Sequence, residues 1–250
     1  MKTEIEKYIE ELKSNNILLN IPVEFLLPYL PFAGPYYNEG KKILFLGQDV
    51  GNVSNGYDNV IGIEEKEKAI LEYNSSNDAF NFDTSEDNFI VWCSKYHYYF
   101  WELPIRISLR DKNKKGLHNY SMEELMNRKK ELQSFAWGNV TSLIFPHYLR
   151  RNILKKEKYL NRTKFDLNLY DKAFEIEQSI FNNPNFYSKY FNPDCIIVLT
   201  SHFNVNNFFR GIEPEKKVLI KNVIDSYSFE INGKEVKLFW TYHPSYLRRI

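Results

Sequence analysis

A carboxylate and an imidazole, far apart in this 250-residue chain, each follow a short apolar run. The first run, Lys41-Lys42-Ile43-Leu44-Phe45-Leu46, closes on Gly47-Gln48-Asp49. The second, Phe239-Trp240-Thr241-Tyr242, breaks at His243-Pro244-Ser245 and is followed by Tyr246-Leu247-Arg248-Arg249. A buried strand ending in a turn can present its next polar side chain to a ligand. In open α/β sheets the crevice lies just past the carboxyl ends of the strands. Asp49 and His243 therefore read as an acid/base pair drawn from two such ends, with general acid–base or charge-stabilising chemistry within their reach.

The elements that must hold these residues alternate in type. Apolar spacing predicts an amphipathic helix over 3–14, carried by Ile5, Ile9 and Leu12. The proline-rich stretch 21–35 reads as an irregular connection. A buried strand follows at 42–46, then a loop of turn formers at 50–56, a helix at 63–73 and a polar surface loop at 74–88. Residues 89–109 read as an aromatic helix that Pro104 kinks or ends. Ser121-Met122-Glu123-Glu124 has the form of a capping box for a helix over 122–134. Strands are expected at 135–145, 193–200 and 237–242, with helices over 167–183 and from about Asn204. Asn232-Gly233 between alternating arms signals a hairpin. Strands separated by helices imply an α/β fold whose mainly parallel sheet is covered on both faces. The chain reads as one domain over 1–250, with an insertion or loop region at 52–88.

Composition narrows the function classes. Cys93 and Cys195, the only cysteines, read as buried thiols in a reducing cytosol and cannot supply the four thiolates of an iron–sulfur cluster or a Cys₄ zinc site. His97, His118, His147 and His202 lack metal-ligand spacing, so no metal and no cofactor is expected. The opening residues, Met1-Lys2-Thr3-Glu4, do not resemble a signal peptide, and no apolar run approaches the ~20 residues that span a bilayer. A cytoplasmic monomer without membrane contact is the resulting expectation. The net charge of +1 is low for a dedicated duplex binder. The basic run at 150–164 is the best electrostatic footprint.

Gly47-Gln48-Asp49 near one end, and His243-Pro244-Ser245 with Leu247 near the other, resemble the two signature motifs of the uracil-DNA glycosylase superfamily. The string from Thr241 to Arg249 is similar to the ending of the thermostable iron–sulfur branch. Pro193 to Phe209 looks like the strand and helix that precede it there, and Trp137 to Phe145 like the strand with the base-reading amide. This resemblance implies a three-layer α/β/α sandwich around a central, mainly parallel four-stranded sheet. It implies that Asp49 orients water toward the sugar carbon and that His243 donates a hydrogen bond to the departing base. By the same carry-over, the backbone of Gln48 holds the base, Asn139 reads the pyrimidine edge, and Leu247 is the wedge that replaces the extruded nucleotide. Ser245, Arg248 and Arg249 would then meet the DNA.

The chain also departs from the pattern. Val50-Gly51 stands where uracil-specific members have Pro-Tyr, so Gly51 leaves room beside the base. The cluster cysteines are missing, and Phe80, Phe82 and Phe100 are equal candidates for the stacking ring. The implied reaction is hydrolysis of the N-glycosidic bond of uracil or a related damaged pyrimidine in DNA. An oxocarbenium-like sugar needs the carboxylate, the leaving base needs a preorganised donor, and the target must leave the stack at a cost of a few kcal/mol. The alternative is a catalytically inactive nucleic-acid-binding or protein-interaction module on the same fold. A hydrolase of free nucleosides or nucleotides is a third reading.

Overall fold

The computed structural model describes residues 1–47, 60–75, 98–109, 166–200 and 208–242, together with most of 120–149. The chain divides into two compact units that alternate along the sequence. One comprises Met1–Leu30, Asp49–Asn77 and Asn139–Tyr190; the other comprises Pro31–Gln48, Asp78–Gly138 and Phe191–Ile250.

The second unit is built on a seven-stranded mixed sheet. Its strands are β1 (Phe32–Ala33), β2 (Ile43–Gly47), β3 (Ala136–Asn139), β4 (Cys195–Leu199), β5 (Glu215–Ile220), β6 (Ile224–Ile231) and β7 (Lys234–Thr241), in the spatial order β1-β3-β2-β4-β7-β6-β5. β2 and β7 both run parallel to β4. Antiparallel pairing joins β1 to β3, β5 to β6 and β6 to β7. The expected four-stranded, mainly parallel sheet is corrected on both counts. A tight turn at Asn232-Gly233, both at positive φ (53° and 76°), folds β7 back on β6, and a hairpin can only be antiparallel. β1 is two residues inside the proline-rich stretch, and β5 has no apolar alternation; neither carries a period to read.

Apolar burial explains the parallel centre. Leu44, Phe45 and Leu46 on β2, Ile196, Val198 and Leu199 on β4, and Leu238 and Trp240 on β7 are all buried. Near-continuous apolar runs are what strands covered on both faces require. On one face Phe45, Phe135, Trp137 and Leu199 form a cluster with Ile105 of helix Tyr98–Leu109 and Leu132 of helix Lys129–Leu132. The Phe45 and Phe135 rings meet edge to face at 5.4 Å. On the other, Phe208 packs at 5.6 Å against Trp240. Pro104 lies inside the helix Tyr98–Leu109 rather than ending it; packing of Ile105 and Leu109 in the cluster offsets the lost backbone bond. At the amino ends of the central strands Asp194 accepts from the Lys42 amide at 2.9 Å and pairs with Lys234 at 2.8 Å, which fixes their register.

The first unit is helical in its described parts. Helices α1 (Lys2–Ser14), α2 (Ile17–Asn20), α3 (Ile63–Ser75), α6 (Leu167–Phe181) and α7 (Pro184–Phe191) bound it, where α4 and α5 denote the two helices packed on the sheet. α1 buries Ile5, Tyr8, Ile9 and Leu12, the stripe its apolar spacing predicts, and Tyr8 meets Phe181 of α6 edge to face at 5.3 Å. Asp166 caps α6 by accepting from the Asn168 and Leu169 amides, which satisfies two of the orphan donors of its first turn. Lys66 of α3 is buried, and its ammonium donates to the carbonyls of Leu18 and Ile21. Helix α3 shows that the 52–88 region contains regular structure at 63–75.

Candidate functional site

Strand register carries the geometry of the two motif-bearing strands. Leu46 of β2 lies opposite Val198 of β4, and Val198 lies opposite Trp240 of β7. All three strands therefore end on one rim of the sheet. β2 stops at Gly47, one residue before Gln48, and β7 stops at Thr241, two residues before His243. With β4 between them, the two backbone ends stand about 10 Å apart, twice the spacing of neighbouring strands. Trp240 fixes one side of this rim, since its indole Nε1 donates to the Thr200 carbonyl at 3.1 Å.

Two threonines at the rim carry a signal that the sequence reading missed. Thr200 follows β4 and Thr241 ends β7. Both are buried, and neither hydroxyl oxygen has a hydrogen-bond partner among the described residues. Leu199 lies opposite Thr241, so side-chain alternation puts the two threonines on opposite faces of the sheet. A buried hydroxyl left unpaired costs about 1–3 kcal/mol. Such groups collect where ligands or ordered water complete the bonding. Threonine at the end of an apolar strand was the available clue.

Asn139 is the one sequence-assigned site residue among those described. It is the last residue of β3, which neighbours β2 in the sheet. It is buried, at 8% exposure. Its backbone is held firmly. Tyr187 shares its hydroxyl proton between the Asn139 carbonyl (3.1 Å) and Asn182 Oδ1 (2.8 Å). Gln178 Nε2 reaches the Val140 carbonyl at 3.4 Å. Before it, Gly138 leaves no space for a side chain, because a Cβ there would sit 2.6 Å from Pro31 Cβ.

Behind this segment lies a buried carboxyl. Glu177 Oε1 accepts from the Ser142 amide at 2.7 Å and from Asn182 Nδ2, and Oε2 accepts from Gln178 Nε2 at 2.8 Å. Burial pushes its pKa up to about 7, against the pull of the Gln178 and Ser142 bonds. The periodicity of 167–183 marks a helix, but nothing in it singles out Glu177 as an inward-facing acid.

Gln48, Asp49, Gly51, His243, Ser245, Leu247, Arg248 and Arg249 lie outside the described residues, as do Cys93, the basic run at 150–164 and the rings Phe80 and Phe82. Cys195 is a buried free thiol, raised to about 11 by burial. Among the described residues no group of three His, Cys, Asp or Glu is arranged to hold a metal ion, and no helix is long and apolar enough to cross a membrane. Set against known proteins, the chain matches no protein-family model, no curated protein and no solved structure.

Proposed function

We propose that this protein is a monofunctional DNA glycosylase that hydrolyses the N-glycosidic bond of uracil or a related damaged pyrimidine, on a uracil-DNA glycosylase-like α/β/α fold. One observation carries the reading: the strands that precede Gly47-Gln48-Asp49 and His243-Pro244-Ser245 run parallel and end on the same rim, one strand apart. Those strand ends lie on the side of the sheet where α/β enzymes bind ligands, which supports the reading. Asn139, buried at the end of the strand that neighbours β2, gives further support.

In this reading Asp49 orients the attacking water and stabilises positive charge on the sugar. His243 donates to the base oxygen as negative charge develops there. Gln48 and Asn139 hold the base, Gly51 leaves room beside its ring, and Leu247 fills the vacated stack. Ser245, Arg248 and Arg249 contact the DNA backbone, which positions the duplex without reading sequence.

The test is excision of uracil from synthetic DNA, followed as abasic product. Wild type is expected to release the base, and His243→Ala to lose about 10²–10³ in rate, the cost of one preorganised donor. Asp49→Asn is expected to abolish product while DNA binding persists. No abasic product from folded wild type on uracil, thymine-mismatch and hypoxanthine substrates would refute the reading. Retained DNA binding in that case would favour the non-catalytic module, which the near-neutral net charge of +1 leaves open.

A further inference from the structure

We propose that Glu177 is a proton-controlled positioning residue, whose carboxyl acts through Asn182 and Tyr187 on the backbone carbonyl of Asn139 at the end of β3. Glu177 of α6, Asn182 just beyond α6, and Tyr187 of α7 are wholly buried. Hydrogen bonds join them in a chain. Asn182 Nδ2 donates to Glu177 Oε1, and the Tyr187 hydroxyl donates to Asn182 Oδ1 at 2.8 Å. The same hydroxyl lies 3.1 Å from the Asn139 carbonyl oxygen.

Proton counting gives this chain two states. A phenol hydroxyl carries a single proton to donate, and Tyr187 has two acceptors before it. An ionised Glu177 only accepts: it takes the Ser142 amide at 2.7 Å, Gln178 Nε2 at 2.8 Å and Asn182 Nδ2. Asn182 then shows its oxygen to Tyr187, and the phenol proton is divided between Asn182 and Asn139. A protonated Glu177 becomes a donor and needs an acceptor of its own. Turning Gln178 to supply one would break its bond to the Val140 carbonyl at 3.4 Å. Turning the Asn182 amide by half a revolution keeps every contact. Its oxygen accepts from Glu177, and its nitrogen donates to the Tyr187 oxygen. The Ser142 hydroxyl, 3.4 Å away, accepts from the amide in one state and donates to it in the other. The phenol proton is then left to the Asn139 carbonyl alone, with no movement of the backbone.

The surroundings make the carboxyl the group that changes state. Tyr8 of α1 and Tyr187 of α7 sense its charge, and burial holds both phenols well above their ordinary range. Helix α2, Ile17–Asn20, brings no titratable side chain. Lys189 of α7 is turned outward to Glu4 of α1, and the other charged residues of α1 are exposed. Burial raises Glu177 itself to about 7, so both of its forms are populated near neutrality. A buried carboxyl does not stabilise a core better than an apolar residue would, whereas a connected polar network specifies one arrangement of its members. The relay stands apart from base excision. Under the proposed function its last member is the residue that reads the base, and pyrimidine binding would then depend on pH.

Carbon-13 and nitrogen-15 NMR of the full chain, from about pH 5 to about pH 9, tests it. The Glu177 carboxyl carbon, the Asn182 side-chain amide and the Asn139 carbonyl carbon are expected to titrate together, with one midpoint at about 7. Tyr187→Phe, which removes the shared proton, is expected to abolish the Asn139 shift while Glu177 still titrates. Glu177→Gln, whose amide nitrogen can only donate, should hold Asn139 at its low-pH position throughout. Circular dichroism verifies folding of each variant, and the joint titration of wild type decides the matter where a variant does not fold. An Asn139 shift that survives Tyr187→Phe overturns the proposal. So does a Glu177 carboxyl without a midpoint in this range. So does an Asn182 amide or Asn139 carbonyl that stays fixed while Glu177 titrates, the result if the Ser142 hydroxyl takes the proton instead. The measurement contains no DNA, so its failure and the failure of the catalytic reading are separate results.

Discussion

A carboxyl buried among amide donors titrates late, and Glu177 is in that position: its pKa is raised from 4.5 to about 7 by burial. The folded state then keeps its proton where the unfolded chain has lost it. Below about pH 4.5 this group costs nothing. As pH rises from 4.5 toward 7, folding stability falls by about 3 kcal/mol, and above 7 the full penalty remains. Urea unfolding across that window is expected to show the decline, and Glu177→Gln to flatten it. Glu4 acts in the opposite direction and in a lower window. Burial alone would raise it, but the Lys189 ammonium at 2.6 Å and the Tyr190 hydroxyl hold it at about 2. Its contribution is present above pH 4.5 and fades as pH falls toward 2. Neither group was legible as special in the sequence, because each becomes so through partners distant in the chain or through burial. The apolar runs that precede Asp49 and His243 were legible, and the structure shows each as a strand. Thr200 and Thr241 were not, since an unmet hydroxyl becomes visible only once its surroundings are packed.

At the scale of elements, the local rules that were readable are those whose cause is local. Ser121 and Glu124 exchange hydrogen bonds at 3.1 and 2.7 Å in the reciprocal pattern their spacing implied. The Asn232-Gly233 turn needs two positive-φ residues, and Gly233 sits at 76°. Gly233→Ala is expected to cost about 1–2 kcal/mol and lower the melting temperature by about 2–8 °C. Asp166→Ala, which uncaps α6, should cost about 1 kcal/mol, readable in the same thermal scan. Phe45→Ala, at the centre of the sheet's apolar cluster, should cost about 3–5 kcal/mol. What could not be read depends on remote pairing. Ala136–Asn139 stops well short of the strand expected over 135–145, because the chain bends at Val140–Leu143, where Glu177 and Gln178 of α6 take over its amide and carbonyl. β5 is a strand because β6 pairs with it, and its own residues are exposed throughout.

For the molecule as a whole, a net charge of +1 limits how strongly a polyanion is attracted at long range. If the proposed DNA contact is made, its salt dependence is expected to be shallow. The double variant Arg248→Ala, Arg249→Ala should reduce the slope of log K against log salt by about 1.4–1.8, the loss of two phosphate contacts. Fluorescence anisotropy over a salt series measures it. The alternation of the two units along the chain has a consequence for biosynthesis. One unit draws its last segment from Asn139–Tyr190 and the other from Phe191–Ile250. As the polypeptide leaves the ribosome, the helical body can consolidate while β2 still waits for β4, its parallel neighbour. The Ile43–Gly47 segment stays without that partner until the final quarter of translation, and pairing over such a separation is slow. Nascent chains arrested before residue 195 should expose an apolar strand that chaperones would have to shield.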